Sequence, residues 1–292
     1  MREQHVVAKN LSKSFGTKQV LDNLSFSVEP GDVIGVLGKN GAGKTTLLEL
    51  MLGFTPASNG QVEVFGHESF HLPGESKARI GFVPQQDELI DPLSARDQLA
   101  VIASFYPRWD RALIERLCRE WSVDTNARIR GMSVGERQKL SILLALGHRP
   151  ELLILDEPVA SLDPMARRQF LEQIVEVSAD GERSVVFSSH IVSDIERLAN
   201  KIWILKNGRL HWQGDLDSLK DSIVRVHARH TEALPGDFEI PNALNVWKQE
   251  RYAMAVVHDF TPGLRADIER RCGTQIEVEP LSLEEIFLEL HR

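Results

Sequence analysis

Short unbroken apolar runs alternate with longer stretches of helical spacing along this chain. Val33-Ile34-Gly35-Val36-Leu37, Leu152-Leu153-Ile154-Leu155 and Ser184-Val185-Val186-Phe187 read as strands covered on both faces, the pattern of a parallel sheet. Thr46 to Leu52 reads as a helix closed by Gly53. From about residue 93 to 150 the pattern turns wholly helical. Ser94-Ala95-Arg96-Asp97 has capping-box spacing and opens a helix that Pro107 stops, and Asp110 caps a second, whose Leu113, Ile114, Leu117, Cys118 and Trp121 form a core face. A third opens at Ser133-Val134-Gly135-Glu136, again with capping-box spacing, and runs to Pro150.

The remaining segments read as strands and turns. Residues Val6 to Val36 suggest short strands separated by turns, with Glu29-Pro30-Gly31-Asp32 the last turn. Asn59-Gly60 predicts a turn into Gln61 to Phe65, Ile80 to Val83 is another strand, and Asn207-Gly208 predicts a hairpin. Beyond about 221, Ile223 to Val226 and Ala255 to Val257 read as strands and Leu264 to Arg271 and Ser282 to Leu290 as helices, with Pro235-Gly236 and Pro262-Gly263 as punctuation. These place a small α/β appendage at 221–292.

Chemistry concentrates in three places. Gly38-Lys39-Asn40-Gly41-Ala42-Gly43-Lys44-Thr45-Thr46 fits G-x-x-x-x-G-K-[ST] between a strand and a helix. The unpartnered N–H groups and dipole of that helix start attract phosphate, and the glycines let the backbone close around it. Lys44 is placed to reach the β- and γ-phosphates and the Thr45 hydroxyl to ligate Mg²⁺. The second place is Asp156-Glu157, two acids at the end of an apolar strand, where open α/β sheets bind ligands. Asp156 suits Mg²⁺ coordination, and Glu157 suits a general base for the attacking water. The third is His190, at the end of the next strand and the same sheet edge, which suits contact with a γ-phosphate, the other reading being a cap on the helix that starts near Ile191. Phe15 could stack on a base or fill the core; its position alone leaves both open.

Composition narrows the partners. At 292 residues, 42% hydrophobic and 26% charged with a net charge of −8, the chain is that of an ordinary folded protein and carries no basic signature of nucleic-acid binding. Cys118 and Cys272 lie far apart and read as buried thiols, and His227 and His230 read as surface residues. The N-terminal residues lack a signal-peptide core, and no run approaches the ~18 apolar residues that cross a bilayer. A membrane role would need other subunits to span it.

In this order the motifs resemble the ATP-binding subunit of an ABC (ATP-binding cassette) transporter, over residues from about 5 to 220. Gly38 to Thr45 match Walker A, Gln85 the Q-loop, Met132 to Glu136 the signature, Leu152 to Glu157 Walker B, Ser161-Leu162-Asp163 the D-loop and His190 the switch histidine. The resemblance implies a P-loop NTPase (RecA-like) α/β core with an N-terminal antiparallel β part and a helical subdomain at about 88–150. It implies ATP and Mg²⁺ as ligands, with Thr45, Gln85 and Asp156 around the metal and Phe15 on the adenine. It implies transmembrane permease subunits as partners and a second cassette, identical or different, packed head to tail. Ser133, Gly135 and Asp163 would then face the partner's nucleotide. Export is suggested by the tail Leu281 to Phe287, which looks like that of cassettes serving multidrug, antibiotic or polysaccharide export. The signature departs from Leu-Ser-Gly-Gly-Gln, with Val134 and Glu136 in place of Gly and Gln, so a slow or non-hydrolysing regulatory cassette is the alternative. A DNA-repair ATPase would need a long coiled-coil insertion, and a translation factor usually carries two P-loops; this chain has neither.

Overall fold

Two compact units make up the chain, Met1–Gln213 and Gly214–Arg292. The computed structural model describes residues 3–230, 234, 239–273 and 275–291. The larger unit opens with β1 (Val6–Phe15) and β2 (Lys18–Val28), paired antiparallel. Patterning suggests short strands here. The strands are instead long, because polar interruptions between Ala8 and Ser14 are absorbed as register shifts rather than as turns.

Next come β3 (Val33–Leu37), α1 (Lys44–Leu52), β4 (Asn59–Val64), β5 (His67–Glu68), α2 (Gly74–Lys77) and β6 (Ile80–Val83). Asn59-Gly60 is not a turn but the irregular start of β4 against β1. Gly60 has φ 72°, and a Cβ there would stand 2.2 Å from the Asn10 carbonyl oxygen, so close backbone approach requires glycine. Helices α3 (Ala95–Ala103), α4 (Arg111–Glu120) and α5 (Val134–Leu146) precede β7 (Leu152–Leu155). Both expected capping boxes are closed, at Ser94 and Ser133, and Asp110 accepts the Leu113 N–H at 2.8 Å. α3 ends at Ala103, short of Pro107, and Trp121 is buried in the core as its helical face predicts. The unit continues through α6 (Pro164–Ser178), β8 (Ser184–Ser188), α7 (Val192–Leu198), β9 (Lys201–Lys206) and β10 (Arg209–Asp215).

The three unbroken apolar runs are neighbours in one sheet of order β10-β9-β3-β8-β7-β6. Its strands from β9 to β6 run parallel, so their C-terminal ends share one edge. A second sheet, β2-β1-β4-β5, supplies the antiparallel part. Leu47, Leu48, Leu50 and Met51 share one face of α1 and are all fully buried in the core. Burying each such side chain contributes ~1.5–3 kcal/mol, which anchors the loop that precedes the helix.

The smaller unit contains α8 (Leu216–Ser222), β11 (Val224–Arg229), β12 (Ala243–Gln249), β13 (Tyr252–Val257), α9 (Pro262–Cys272), β14 (Ile276–Pro280) and α10 (Leu283–Leu290). The four strands form an antiparallel sheet, β12-β13-β11-β14, around Val226, Ala228, Ala255, Ile268 and Ile276. Pro262-Gly263 is the first turn of α9 rather than a break, because Thr261 caps it and proline at the first helical position lacks only an N–H that would be unpaired anyway. His227 is not a surface residue: its ring nitrogens lie 2.7 Å from the Tyr252 hydroxyl and 2.9 Å from Glu279. Cys118 is buried, and burial pushes its thiol pKa up. The Cys272 side chain and Pro235-Gly236 lie outside the described residues. Among the described residues, no helix is long and apolar enough to cross a membrane.

Candidate functional site

At the shared C-terminal edge of the parallel strands, the loop after β3 opens into a cleft of about 590 Å³. Gly41 and Gly43 have φ 78° and 106°, backbone that a side chain rarely adopts, and Gly43 stands at the N-cap of α1 with no side-chain cap. The first-turn N–H groups of α1 are therefore uncapped by any side chain. Inside the loop, Ala42 N–H donates to the Lys39 carbonyl at 3.0 Å. Lys44 is nearly buried; its ammonium donates to the Gly38 carbonyl at 2.9 Å and lies 3.7 Å from Glu157.

The two acids after β7 are held from both sides. The Thr45 hydroxyl donates to Asp156 Oδ2 at 2.7 Å, and the Ser188 hydroxyl donates to Asp156 Oδ1 at 2.6 Å. Asp156 N–H donates to the Val83 carbonyl at the end of β6. Glu157 has φ 50°, the left-handed region, which is uncommon for a residue with a long side chain. Its Oε2 accepts from the His190 backbone N–H at 3.1 Å and lies 2.6 Å from His190 Nδ1. Lys44 and His190 thus flank one buried carboxylate.

The cleft gathers Phe15, Asn40, Gly41, Gly43, Lys44, Thr45, Thr46, Gln85, Asp156 and Glu157, with Lys18 and Val20 in addition. Gly38, Lys39 and Ala42 belong to the same loop, and His190 joins through Glu157. Phe15 is 49% exposed, so it is not a core residue; it lines the cleft, with Lys13 Nζ 4.8 Å from its ring centre. A larger hollow of about 1040 Å³ lies among α3, α4 and their connections, but it has no glycine-rich loop. The glycine-rich loop and the two acids after β7 meet in the smaller cleft.

Ser133, Gly135 and Asp163 do not line that cleft. Ser133 caps α5: its hydroxyl donates to Glu136 Oε2 at 2.8 Å, and the same oxygen accepts the Ser133 N–H at 2.8 Å. That backbone hydrogen bond, foremost, holds the Glu136 carboxyl below its usual pKa. Val134 beside it is 65% exposed. Asp163 caps α6, accepting from Met165 and Ala166 N–H at 2.9 Å each. One link was not legible in the sequence. Arg137 on α5 donates through Nε and Nη2 to Asp87, two residues beyond Gln85, at 2.5–3.1 Å, and reaches Asp91 at 2.7 Å. The guanidinium lowers the Asp87 carboxyl's pKa, and the two carboxylates raise that of Arg137.

Sequence comparison matches residues 21–160 to the ABC transporter family. Nod factor export ATP-binding protein I of Cupriavidus metallidurans is 30% identical over 97% of this chain and 95% of its own length. The bacitracin transport ATP-binding protein of Bacillus licheniformis is 34% identical over 72% of this chain and 70% of its own. Among solved structures, an ATP-binding subunit of an ABC transporter superposes with a TM-score of 0.68 at 29% identity, over 74% of this chain and 92% of that one.

Proposed function

Because this chain belongs to the ABC transporter family and is one of its ATP-hydrolysing, ATP-binding subunits, we propose a specific assignment of residues and partners. ATP lies in the cleft with its adenine on Phe15 and its phosphates in the loop Gly38 to Thr46. Lys44 turns from the Gly38 carbonyl and Glu157 to the β- and γ-phosphates. The uncapped start of α1 favours the same anion. The donors beside the loop fit magnesium, a hard cation that takes oxygen ligands: the Thr45 hydroxyl bonds Asp156, and Gln85 lines the same cleft. When bound, the ion neutralises charge on the β- and γ-phosphates. Glu157 accepts a proton from the attacking water, and His190 holds that carboxylate in place and contacts the γ-phosphate.

One observation carries the proposed assembly: Ser133 and Gly135 stand at an exposed helix N-terminus outside their own chain's cleft. A second cassette packed head to tail would bring that terminus, with Asp163, onto the partner's γ-phosphate, so the complete site exists only on closure. We assign the second cassette to another copy of this chain. Closure would then move transmembrane permease subunits, with Gln85 at the contact that senses them, from the cytoplasmic face of the membrane. The relative named for Nod factor export supports export as the direction. Met1–Gln213 would be the cassette and Gly214–Arg292 an appendage. The altered signature does not require the regulatory alternative, since Glu136 completes the cap of the helix that Ser133 opens.

Ser133→Ala tests the assembly. In the isolated chain, ATP affinity is expected to be unchanged, because Ser133 is not in its own cleft. Turnover is expected to fall ~10–100-fold, the worth of one hydrogen bond to a charged group, and is read by phosphate release. The cap loss costs about 1 kcal/mol of stability, which a melting curve measures separately. Equal loss of binding and turnover would place Ser133 in its own chain's site and end the head-to-tail reading.

A further inference from the structure

Ser188 ends β8 with no solvent exposure, one strand over from the two acids. Its hydroxyl has one proton and spends it on Asp156 Oδ1 at 2.6 Å. A lone pair of the same oxygen accepts the Glu157 N–H at 2.9 Å. A single hydroxyl therefore touches the carboxylate of one acid and the peptide of the next.

Both contacts fall where the backbone cannot set the geometry alone. Asp156 has its other oxygen held by Thr45 on α1, so Ser188 fixes the rotation of the carboxylate from the opposite side. Glu157 stands at φ 50°, a sparsely populated conformation that persists only where surroundings over-determine it. The bond from its N–H to Ser188 is one such constraint, and the bond from the His190 N–H to its carboxylate is another. Removing the hydroxyl leaves the buried Glu157 N–H without its partner and lets the Asp156 carboxylate turn about Thr45.

We propose that Ser188 is a positioning residue for hydrolysis, setting the metal-facing carboxylate of Asp156 and the water-facing carboxylate of Glu157 through one hydroxyl. The inference rests on the roles given to those two acids above. Ser188 is not expected to touch nucleotide, so its removal should leave metal-free ATP binding intact. Partners of this kind, which orient groups around a metal, typically change metal affinity or activity by ~10–100-fold.

The test compares Ser188→Ala, Ser188→Val and Ser188→Thr in the full chain. Threonine and valine have nearly the same shape, and only threonine keeps the hydroxyl. Three quantities are read: kcat for ATP, ATP affinity in EDTA, and Mn²⁺ affinity of the ATP-bound chain by electron paramagnetic resonance. The expected result is a ~10–100-fold loss of kcat and weaker Mn²⁺ binding in the alanine and valine variants, with EDTA-phase ATP affinity unchanged and threonine close to the parent. Alanine and valine variants that keep both kcat and Mn²⁺ affinity would overturn the proposal. So would a loss of metal-free ATP binding as large as the loss of kcat, because Ser188 would then support the fold of the cleft as a whole. Glu157→Gln run alongside separates the two levels: unchanged turnover in that variant would sink the reading of the acids themselves, whatever Ser188 does.

Discussion

Glu157→Gln is expected to lose ATP turnover by ~10²–10⁴-fold, the usual consequence of removing a general base, while ATP still binds. The geometry gives the reason for both halves. Glutamine keeps the length of the side chain and a carbonyl oxygen able to accept the His190 N–H, so the left-handed turn and its hydrogen bond survive. What is lost is the capacity to take a proton from water. Phosphate release under saturating MgATP, beside nucleotide binding by calorimetry, measures the split. Turnover within a few-fold of the parent would remove Glu157 from the chemistry and shift attention to water positioned by other groups.

Lys44→Met should have the second largest effect, and on the other step. Its ammonium is almost fully buried, donates to Gly38 and faces Glu157 at 3.7 Å. With phosphate in the loop, the same donor is worth roughly 1.5–3 kcal/mol for a charge-assisted hydrogen bond, or ~10–100-fold in ATP affinity. Methionine conserves most of the volume, so packing in the loop is disturbed little. Turnover at fixed subsaturating ATP should fall at least as far as affinity. An equilibrium dialysis result showing parent-like ATP binding would mean that the α1 N-terminus alone holds the phosphates.

How much of this was legible beforehand follows from where each signal resides. The phosphate loop was readable because glycine spacing, the lysine and the flanking strand and helix are all local in sequence, and the positive φ of Gly41 and Gly43 is what such spacing encodes. Capping boxes at Ser94 and Ser133 were equally local, since both partners lie within one turn. The acids after β7 were found because four aliphatic residues in a row mark a parallel strand, and its end is where ligands bind. Other features depend on contacts distant in sequence. Asn59-Gly60 has the composition of a turn, yet β1 claims it as an irregular strand start. β12 and β14 are edge strands of their sheet, half or wholly exposed for most of their length, so they lack the apolar run that would have announced them. Arg137 and Asp87 are joined across fifty residues, and nothing in either segment names the other. Ser188 was visible only as a serine ahead of His190; its two bonds reach back thirty-one and thirty-two residues.

On the proposed assembly the site is poised rather than complete within one chain. Lys44 and His190 both rest on Glu157, and the α5 terminus carrying Ser133 and Gly135 is capped and does not line the cleft. Nucleotide would draw Lys44 to phosphate, and a partner would add the second helix N-terminus. Phosphoryl transfer asks mainly for positioning and charge neutralisation, which the proposed closure would supply.

The most direct test of this arrangement is the mass of the Glu157→Gln chain in solution, by light scattering during gel filtration. With ATP and magnesium it is predicted to run at twice the chain mass, and with ADP, or with Lys44→Met added, at the mass of one chain. A Glu157→Gln chain that binds ATP to saturation and stays at the mass of one chain would contradict head-to-tail closure of this cassette on itself.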